Sequence, residues 1–406
     1  MAKQAAVIEI GSSKVTCTVA SRSGDALTVH GFGTCMYTGG YSFDPIREVI
    51  TYPNESALAT AMDRAVRLAQ NEAKVTINSA YVALNAPFLK VRVMRGSCSV
   101  PSKGRTVVES DGSKLMRISK ENVNVPGYVP IHRVPISYYV DGEESLTLPI
   151  GKRVNKILEA RVSHIFLDVK MAAKCDAMLN DLGIKREGFV AAPFAEALYL
   201  ADGSNAEGYS VMVDVGYTHT DVALIKNNVI IDLAVIPLGG YNFRNDISCV
   251  ENISQSAAES IKKRYRFGVN YEGTTEMIKD ADGVAEYIDK NECSEIICDR
   301  MGVLCNCIND YMEYWDIVGK KVPVFLTGGG VMMEDADSYM QDKLKTDVLP
   351  QLPDVSRHAL NTMNNASAFA VSLYVLDPWF DHESDIEDES EQTGFFARLF
   401  KSKKRR

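Results

Sequence analysis

The sequence predicts an α/β protein built from two related halves, and three observations predict it. A strand–acid–glycine–strand pattern occurs twice. It reads Ala6-Val7-Ile8-Glu9-Ile10-Gly11-Ser12-Ser13-Lys14-Val15, then Val211-Met212-Val213-Asp214-Val215-Gly216-Tyr217-Thr218-His219-Thr220-Asp221-Val222. A third strand-like run ends in glycines, Val324-Phe325-Leu326-Thr327-Gly328-Gly329-Gly330. Helical patterns at 56–72 and 169–182 separate such runs, and strands alternating with helices are the mark of an α/β chain. At 406 residues the chain exceeds one ordinary core, so two or more domains are expected.

Composition narrows the function classes. The fractions, 46% hydrophobic and 24% charged, are those of a globular protein. A formal net charge of -9 argues against a general nucleic-acid binder, because phosphate contacts require a positive surface. Nine cysteines are scattered, and residues 1–4 lead into a strand without a secretory leader pattern, so free thiols are expected. Cys298, Met301, Leu304, Cys305 and Ile308 recur at helical spacing, which reads as a buried helix face, with zinc binding as the lesser alternative. No apolar run approaches the ~20 residues needed to cross a bilayer.

Taken in order, the first hairpin aligns Glu9 with Asp214 and Gly11 with Gly216 of the second. Each continues into apolar and β-branched residues, Thr16-Cys17-Thr18-Val19 and Val222-Ala223-Leu224-Ile225. The block from 79 to 162 has its own rhythm, broken by Pro101, Pro126, Pro130, Pro135 and Pro149, and reads as an inserted α+β subdomain. After the second hairpin come Val235-Ile236-Pro237-Leu238-Gly239-Gly240 and a helix-rich stretch from 242 to 314. Residues 359–376 are small and apolar, as in a packed helix.

The turns suggest a chemistry. A triphosphate needs many donors and a divalent cation, and small-residue turns let backbone N–H groups approach it without a Cβ in the way. Gly11-Ser12-Ser13-Lys14 and Gly216-Tyr217-Thr218 supply two such turns. Glu9 and Asp214, at the ends of their strands, suit Mg2+ held through its waters. Gly328-Gly329-Gly330 lets backbone pass close to a flat ring or an α-phosphate. Each piece alone also reads as a plain structural turn; the three in this order point to ATP.

The ordered set resembles the actin, heat-shock chaperone and sugar-kinase superfamily, and within it the FtsA family of bacterial cell-division proteins. The more specific matches are His132-Arg133-Val134-Pro135, Tyr139-Val140-Asp141-Gly142-Glu143, Leu158-Glu159-Ala160-Arg161-Val162, Ile236-Pro237-Leu238-Gly239-Gly240, Asn245-Asp246-Ile247, and Ala258-Glu259-Ser260-Ile261-Lys262 with Tyr265. The resemblance runs from about residue 5 to 376 and returns at the C-terminus. It implies an actin-like two-domain ATPase fold with ribonuclease H-like halves. Its parts would be subdomain 1A (1–80, 161–200 and 353–380), an FtsA-type insert 1C (81–160), 2A (201–240 and 320–352) and 2B (241–319). By the same resemblance Thr218, His219 and Thr220 join the phosphate side. Gly239, Gly240, Glu259, Lys262, Gly328, Gly329, Gly330 and Val331 form the adenosine side. Glu259 and Lys262 would share one helix face, or else be an ordinary exposed ion pair.

Three positions depart from the family pattern. Glu9 stands where the family has Asp. Tyr217 and His219 stand where it prefers Gly and Thr, crowding a phosphate turn. Ala192 occupies the place, just before Pro193, where relatives carry the Glu that orients the attacking water. Glu196, one helical turn on, is the candidate substitute. The expectation is bound ATP, slow hydrolysis, and nucleotide acting as a conformational ligand.

The tail changes character beyond Asp377. Residues 381–393 are too acidic and apolar-poor to fold alone and read as a flexible linker. In 394–406, wound as a helix, Phe395, Phe396, Leu399 and Phe400 share a face while Arg398 and Lys401 lie away from it. Such a segment suits an anionic membrane surface, with a protein-docking helix as the competing reading. FtsA relatives end in this manner. The resemblance thus implies a peripheral protein on the cytoplasmic face of the membrane at the division septum. It would self-assemble as an actin-like filament, hold the C-terminal tail of the tubulin relative FtsZ, and meet later division proteins through the insert. Arg300 matches an FtsZ-docking Arg of the family, or serves as a surface salt bridge to a neighbouring helix. A sugar or acid kinase of the same superfamily and a pilus-assembly scaffold are the alternatives.

Overall fold

A computed structural model describes residues 4–377, apart from 25, 101–102, 122 and 280–284. The predicted linker and terminal helix, with Phe395, Phe396, Arg398, Leu399, Phe400 and Lys401, lie outside the described residues.

The duplication seen in the sequence is a duplication of sheets. The first runs Ala26–Met36, Lys14–Ser23, Gln4–Ile10, Ser79–Leu84, Lys185–Ala191. The second runs Val229–Ile236, Thr220–Lys226, Tyr209–Val215, Val324–Thr327, Val348–Pro350. In both, the first two pairings are antiparallel and the last two parallel. Val7, Ile8 and Ile10 of one central strand and Val211, Val213 and Val215 of the other are all buried. Strands apolar on both faces must be covered on both, which is what the flanking helices do.

The helices start where local chemistry says they should. Glu55–Ala73 begins at Asn54, whose side chain accepts from the Ala57 N–H at 2.9 Å, and it buries Leu58, Met62, Ala65 and Ala69 along one stripe. Val169–Asp181 begins at Asp168, which accepts from Met171 N–H at 2.7 Å and from the Tyr52 hydroxyl at 2.9 Å. Asp168→Ala removes the oxygen that accepts both bonds, so an equilibrium urea titration should show a loss of about 1–2 kcal/mol.

Between Ser79–Leu84 and Lys185–Ala191 of sheet one the chain makes a separate antiparallel sheet in the order Glu143–Ser145, Tyr128–Val140, Ile157–Asp168, Leu89–Ser99. The Ser110–Glu121 helix lies on it over a small core that includes Leu115, Met116, Tyr138 and Leu158. Arg105 grips Asp111 through two bonds of 2.6 Å. Burial works against the Asp111 charge, but Arg105 and the Val108 N–H outweigh it and hold the carboxyl below its usual range. Because the folded state releases this proton more readily, the contribution is present above the ordinary carboxylate pKa and is lost as pH falls through it. Asp111→Ala should therefore loosen this subdomain by about 2 kcal/mol at pH 7 and by less near pH 3, read by amide exchange of the Ser110–Glu121 helix.

The second half carries helices Gly240–Val250, Gln255–Arg264 and Lys290–Tyr314. The expected helix-rich stretch also holds a β-hairpin, Thr275–Lys279 with Ala285–Asp289. Its alternation is short: Ile278 and Ile288 face in while Met277 and Tyr287 face out. Cys293, Met301, Leu304, Cys305 and Ile308 form the buried face of the long helix, as their spacing predicts, with Cys298 half-buried beside Tyr265. The last helix is shorter than expected, Ala366–Val375, because tight turns at His358–Leu360 and Met363–Asn365 precede it. No helix among the described residues is long and apolar enough to cross a membrane.

Candidate functional site

The two hairpin turns have matching geometry and meet at the seam between the halves. Gly11 N–H donates to Lys14 O at 2.9 Å, and Gly216 N–H donates to His219 O at 2.9 Å. Ser12 Oγ accepts from Thr218 N–H at 3.3 Å, and the Thr218 hydroxyl donates to Tyr41 O at 3.1 Å. Gly40 packs so closely on the first turn that a Cβ there would stand 1.7 Å from Ser12 O. Tyr37 completes the wall by donating its hydroxyl to Gly11 O at 2.7 Å.

Between the turns lies a cleft of about 550 Å³. Of the residues singled out in the sequence, Glu9, Gly11, Ser12, Ser13, Lys14, Asp214, Gly216, Tyr217 and His219 line it. So do Gly240, Glu259, Lys262, Gly328, Gly329 and Gly330. Thr218 sits behind the turn in the contacts above. Thr220 is buried and bonds Leu238 O at 2.7 Å, Gly239 forms the helix N-cap beneath Tyr217, and Val331 is core.

The strand ends bring opposite charges together. Glu9 is 6% exposed, and burial raises its pKa above the ordinary value, against the pull of Lys14. Burial, reinforced by Glu9, lifts Asp214 to about 7. Burial also lowers the Lys14 pKa, with Glu9 and Asp214 acting against it. The ammonium is held by Asn364 O at 2.6 Å and Asn364 Oδ1 at 2.8 Å. Behind this layer Asp221 takes the Ala86 N–H at 2.8 Å, and His219 Nε2 lies 3.4 Å from Asp221 Oδ1. Burial pulls His219 down to about 4, so its ring is neutral at pH 7.

Part of the wall beside the second turn is backbone. Gly328 has φ +102°, and a Cβ on it would stand 2.3 Å from Asp214 Oδ1 and 2.3 Å from Val215 O. Lys262 and Glu259 share one face of their helix, with Nζ 2.9 Å from Oε2. Tyr217 packs edge-on to Tyr241 at 5.7 Å, with the Arg244 guanidinium 5.3 Å from each ring.

Two residues stand away from the cleft. Glu196 is 1% exposed, and burial, reinforced by Asp214 and Asp221, raises its pKa far above the ordinary value against the pull of a hydrogen bond with Ser367. Arg300 is paired with Asp246 of the Gly240–Val250 helix, the salt-bridge alternative that its sequence context allows. Among the cleft and wall residues that sequence patterns do not single out are Gly40, Tyr37, Asn85, Arg244 and Asn364. Asn364 had a signal, since the polar run Asn361-Thr362-Met363-Asn364-Asn365 interrupts the apolar segment read as one helix. Arg244 had none.

Among the described residues no three His, Cys, Asp or Glu side chains converge in metal-ligand geometry. Two carboxylates beside a lysine and a ring of backbone donors suit a polyanion carrying a largely hydrated cation.

Comparison with known proteins agrees with this architecture. The family model described as Cell division protein FtsA matches residues 211–373. The Cell division protein FtsA of Pseudomonas aeruginosa is 24% identical over 337 residues, covering 81% of this chain and 78% of its own. That of Bacillus subtilis is 22% identical over 354 residues, covering 86% and 78%. Among solved structures, a chain of the PilM-PilN type IV pilus biogenesis complex superposes with a TM-score of 0.61 at 16% identity, covering 93% of this chain and 100% of that one. The chain is thus similar to the FtsA proteins over most of its length, and it shares the fold of the PilM-PilN chain.

Proposed function

We propose that this relative of the FtsA proteins is a cell-division protein that binds ATP and Mg2+ in the cleft between its halves. It would assemble with copies of itself and hold the C-terminal tail of FtsZ at the cytoplasmic face of the membrane. The observation that carries the nucleotide reading is the pair of matched turns, Gly11–Lys14 and Gly216–His219, facing one cleft with an acid at the end of each strand.

The residues fit the ligand. The volume is within the ~300–1,000 Å³ of small-molecule sites. Asn85 Oδ1 and Arg244 Nε are buried at the cleft without hydrogen-bond partners, as groups awaiting a polar ligand are. Ser12, Ser13, Lys14, Tyr217 and Thr218 would supply the phosphate side, and Glu9 and Asp214 would hold Mg2+, which offsets phosphate charge. Gly239, Gly240, Glu259, Lys262 and the Gly328–Val331 backbone would seat the adenosine.

Hydrolysis is expected to be slow. Ala192 has no group that orients water, and Glu196, which does not line the cleft, has its pKa pushed far above the ordinary value by burial, which disfavours a carboxylate base. Nucleotide would then act by favouring one arrangement of the halves. The segment 394–406 carries six Lys or Arg residues, each worth ~1 kcal/mol near anionic lipid. Later division proteins would meet the protein through its inserted subdomain.

Isothermal titration with ATP and Mg2+ should give a one-to-one complex that EDTA weakens; the absence of any heat or thermal upshift at millimolar ATP would sink the nucleotide reading. Removing residues after Thr393 should release the protein from anionic vesicles in a sedimentation assay. Undiminished pelleting of the truncated chain would place membrane contact elsewhere.

A further inference from the structure

Arg244 is the basic group of the cleft for which the protein supplies no counter-charge among the described residues. Lys14 is held by Asn364, Lys262 lies 2.9 Å from Glu259, and Lys263 lies 3.6 Å from the same carboxylate. No described carboxylate pairs with Arg244, and its Nε, buried, has no acceptor. What surrounds the guanidinium is aromatic: Tyr217 and Tyr241, each with its ring centre 5.3 Å away. Burial raises the pKa of the Tyr217 hydroxyl, while the Arg244 charge and a hydrogen bond from its guanidinium to that hydroxyl oppose the rise. Ring faces attract a cation and the Tyr217 hydroxyl takes one donor, but neither meets the buried Nε. Taking a guanidinium partly out of water without an anion is unfavourable unless something else meets it.

Its seat is fixed by the second turn. The Gly240–Val250 helix hangs from that turn through Gly240 N–H to Gly216 O at 2.9 Å and Tyr241 N–H to Tyr217 O at 2.8 Å. Arg244 is one turn into the helix and lies over Tyr217, whose own backbone belongs to the turn. The guanidinium therefore borders the second turn, on which the glycine backbone also packs: a Cβ on Gly330 would stand 2.6 Å from Gly216 O. A planar fork of donors matches phosphate oxygens better than it matches a base edge.

We propose that Arg244, seated on Tyr217, is a phosphate-chain clamp that makes the cleft discriminate adenosine di- and triphosphate from adenosine. This rests on the nucleotide reading above. It also gives Tyr217 a purpose: the ring that takes room from the turn is the platform for a cation that offsets the loss. Tyr217 acts as a positioning residue, and Arg244 is the contact.

The test is calorimetric, on the full chain, with adenosine, ADP, ATP and inorganic tripolyphosphate, each with Mg2+. Arg244→Ala should weaken ATP and ADP roughly 10- to 100-fold and leave adenosine within about twofold. Arg244→Lys should recover part of the loss. Tyr217→Phe should keep the phosphate preference, and Tyr217→Ala should reduce it without changing adenosine affinity. Equal losses for adenosine and ATP in Arg244→Ala, or no loss at all, would overturn the clamp, the first pointing to a contact with the base. If wild type binds tripolyphosphate but no adenine nucleotide, the nucleotide reading fails while Arg244→Ala still decides the clamp by its tripolyphosphate affinity. If wild type binds neither, both fall. Circular dichroism of each variant guards against loss of fold, and Arg244→Lys, the mildest change, carries the test if Arg244→Ala does not fold.

Discussion

Asp214→Asn should cost at least about 100-fold in Mg2+-dependent ATP affinity and yet make the ligand-free protein more stable at pH 8. The two effects share a cause. Asp214 ends a buried strand, and desolvation, with Glu9 beside it, lifts its pKa to about 7 from an ordinary 3.8. The folded chain therefore binds this proton more tightly than the unfolded chain does. Between about pH 4 and pH 7 the unfolded state has already released it, so stability falls as pH rises through that window and stays low above it. An amide at the same position has no charge to desolvate. The expected gain at pH 8 is on the order of 2 kcal/mol, vanishing near pH 4 where the carboxyl is neutral in both states. Thermal unfolding at the two pH values, without ligand, measures it. A variant less stable than wild type at pH 8 would show that Lys14 more than compensates the charge. Wild-type ATP binding in Mg2+ should in turn weaken as pH drops below 7, because proton and metal compete for the same oxygens.

Gly328→Ala should damage the fold more than substitution of Gly329, Tyr217 or Arg244 does. The position combines a left-handed φ of +102° with contacts that cannot yield: a Cβ would stand 2.3 Å from Val215 O and 2.6 Å from Val215 N, both backbone of the central strand. Relief would have to part the Tyr209–Val215 and Val324–Thr327 strands, whose pairing ends at Asp214 and Thr327. A loss of about 4 kcal/mol or more is expected, enough to leave much of the protein unfolded at 37 °C. Gly329→Ala is the control. Its nearest neighbour is the Asn364 side-chain oxygen at 2.6 Å, the end of a movable group, so that variant should fold. It should instead bind ATP more weakly, because Asn364 also holds Lys14. Chemical denaturation of both, side by side, checks the ranking; equal stability would mean the backbone at Gly328 has more room than its contacts indicate.

The sequence by itself determined the repeated strand–acid–turn–strand unit, because a buried strand needs an unbroken apolar run and a close turn needs glycine. Those requirements are local, and both halves meet them in the same order. Glu9 and Asp214 and Gly11 and Gly216 were legible for that reason, and the buried stripe of the Lys290–Tyr314 helix from its helical spacing; the Glu259–Lys262 pair came from the family resemblance. The hairpin at Thr275–Asp289 was not, since its short alternation only acquires meaning once Ile278 and Ile288 find a core.

Tertiary structure alone decided which groups share a space. Lys14 and Asn364 are 350 positions apart, and no local pattern in either segment announces the other. The same holds for Gly40 under Ser12, for Asp221 capped by Ala86, and for Arg244 resting on Tyr217. Burial also sets the surroundings of Glu196, the candidate substitute for the acid missing at Ala192: it does not line the cleft, and desolvation pushes its pKa far above the ordinary value. Chain chemistry fixes what a residue is able to do; the dielectric and the neighbours that long-range packing gives it fix which of those things it does.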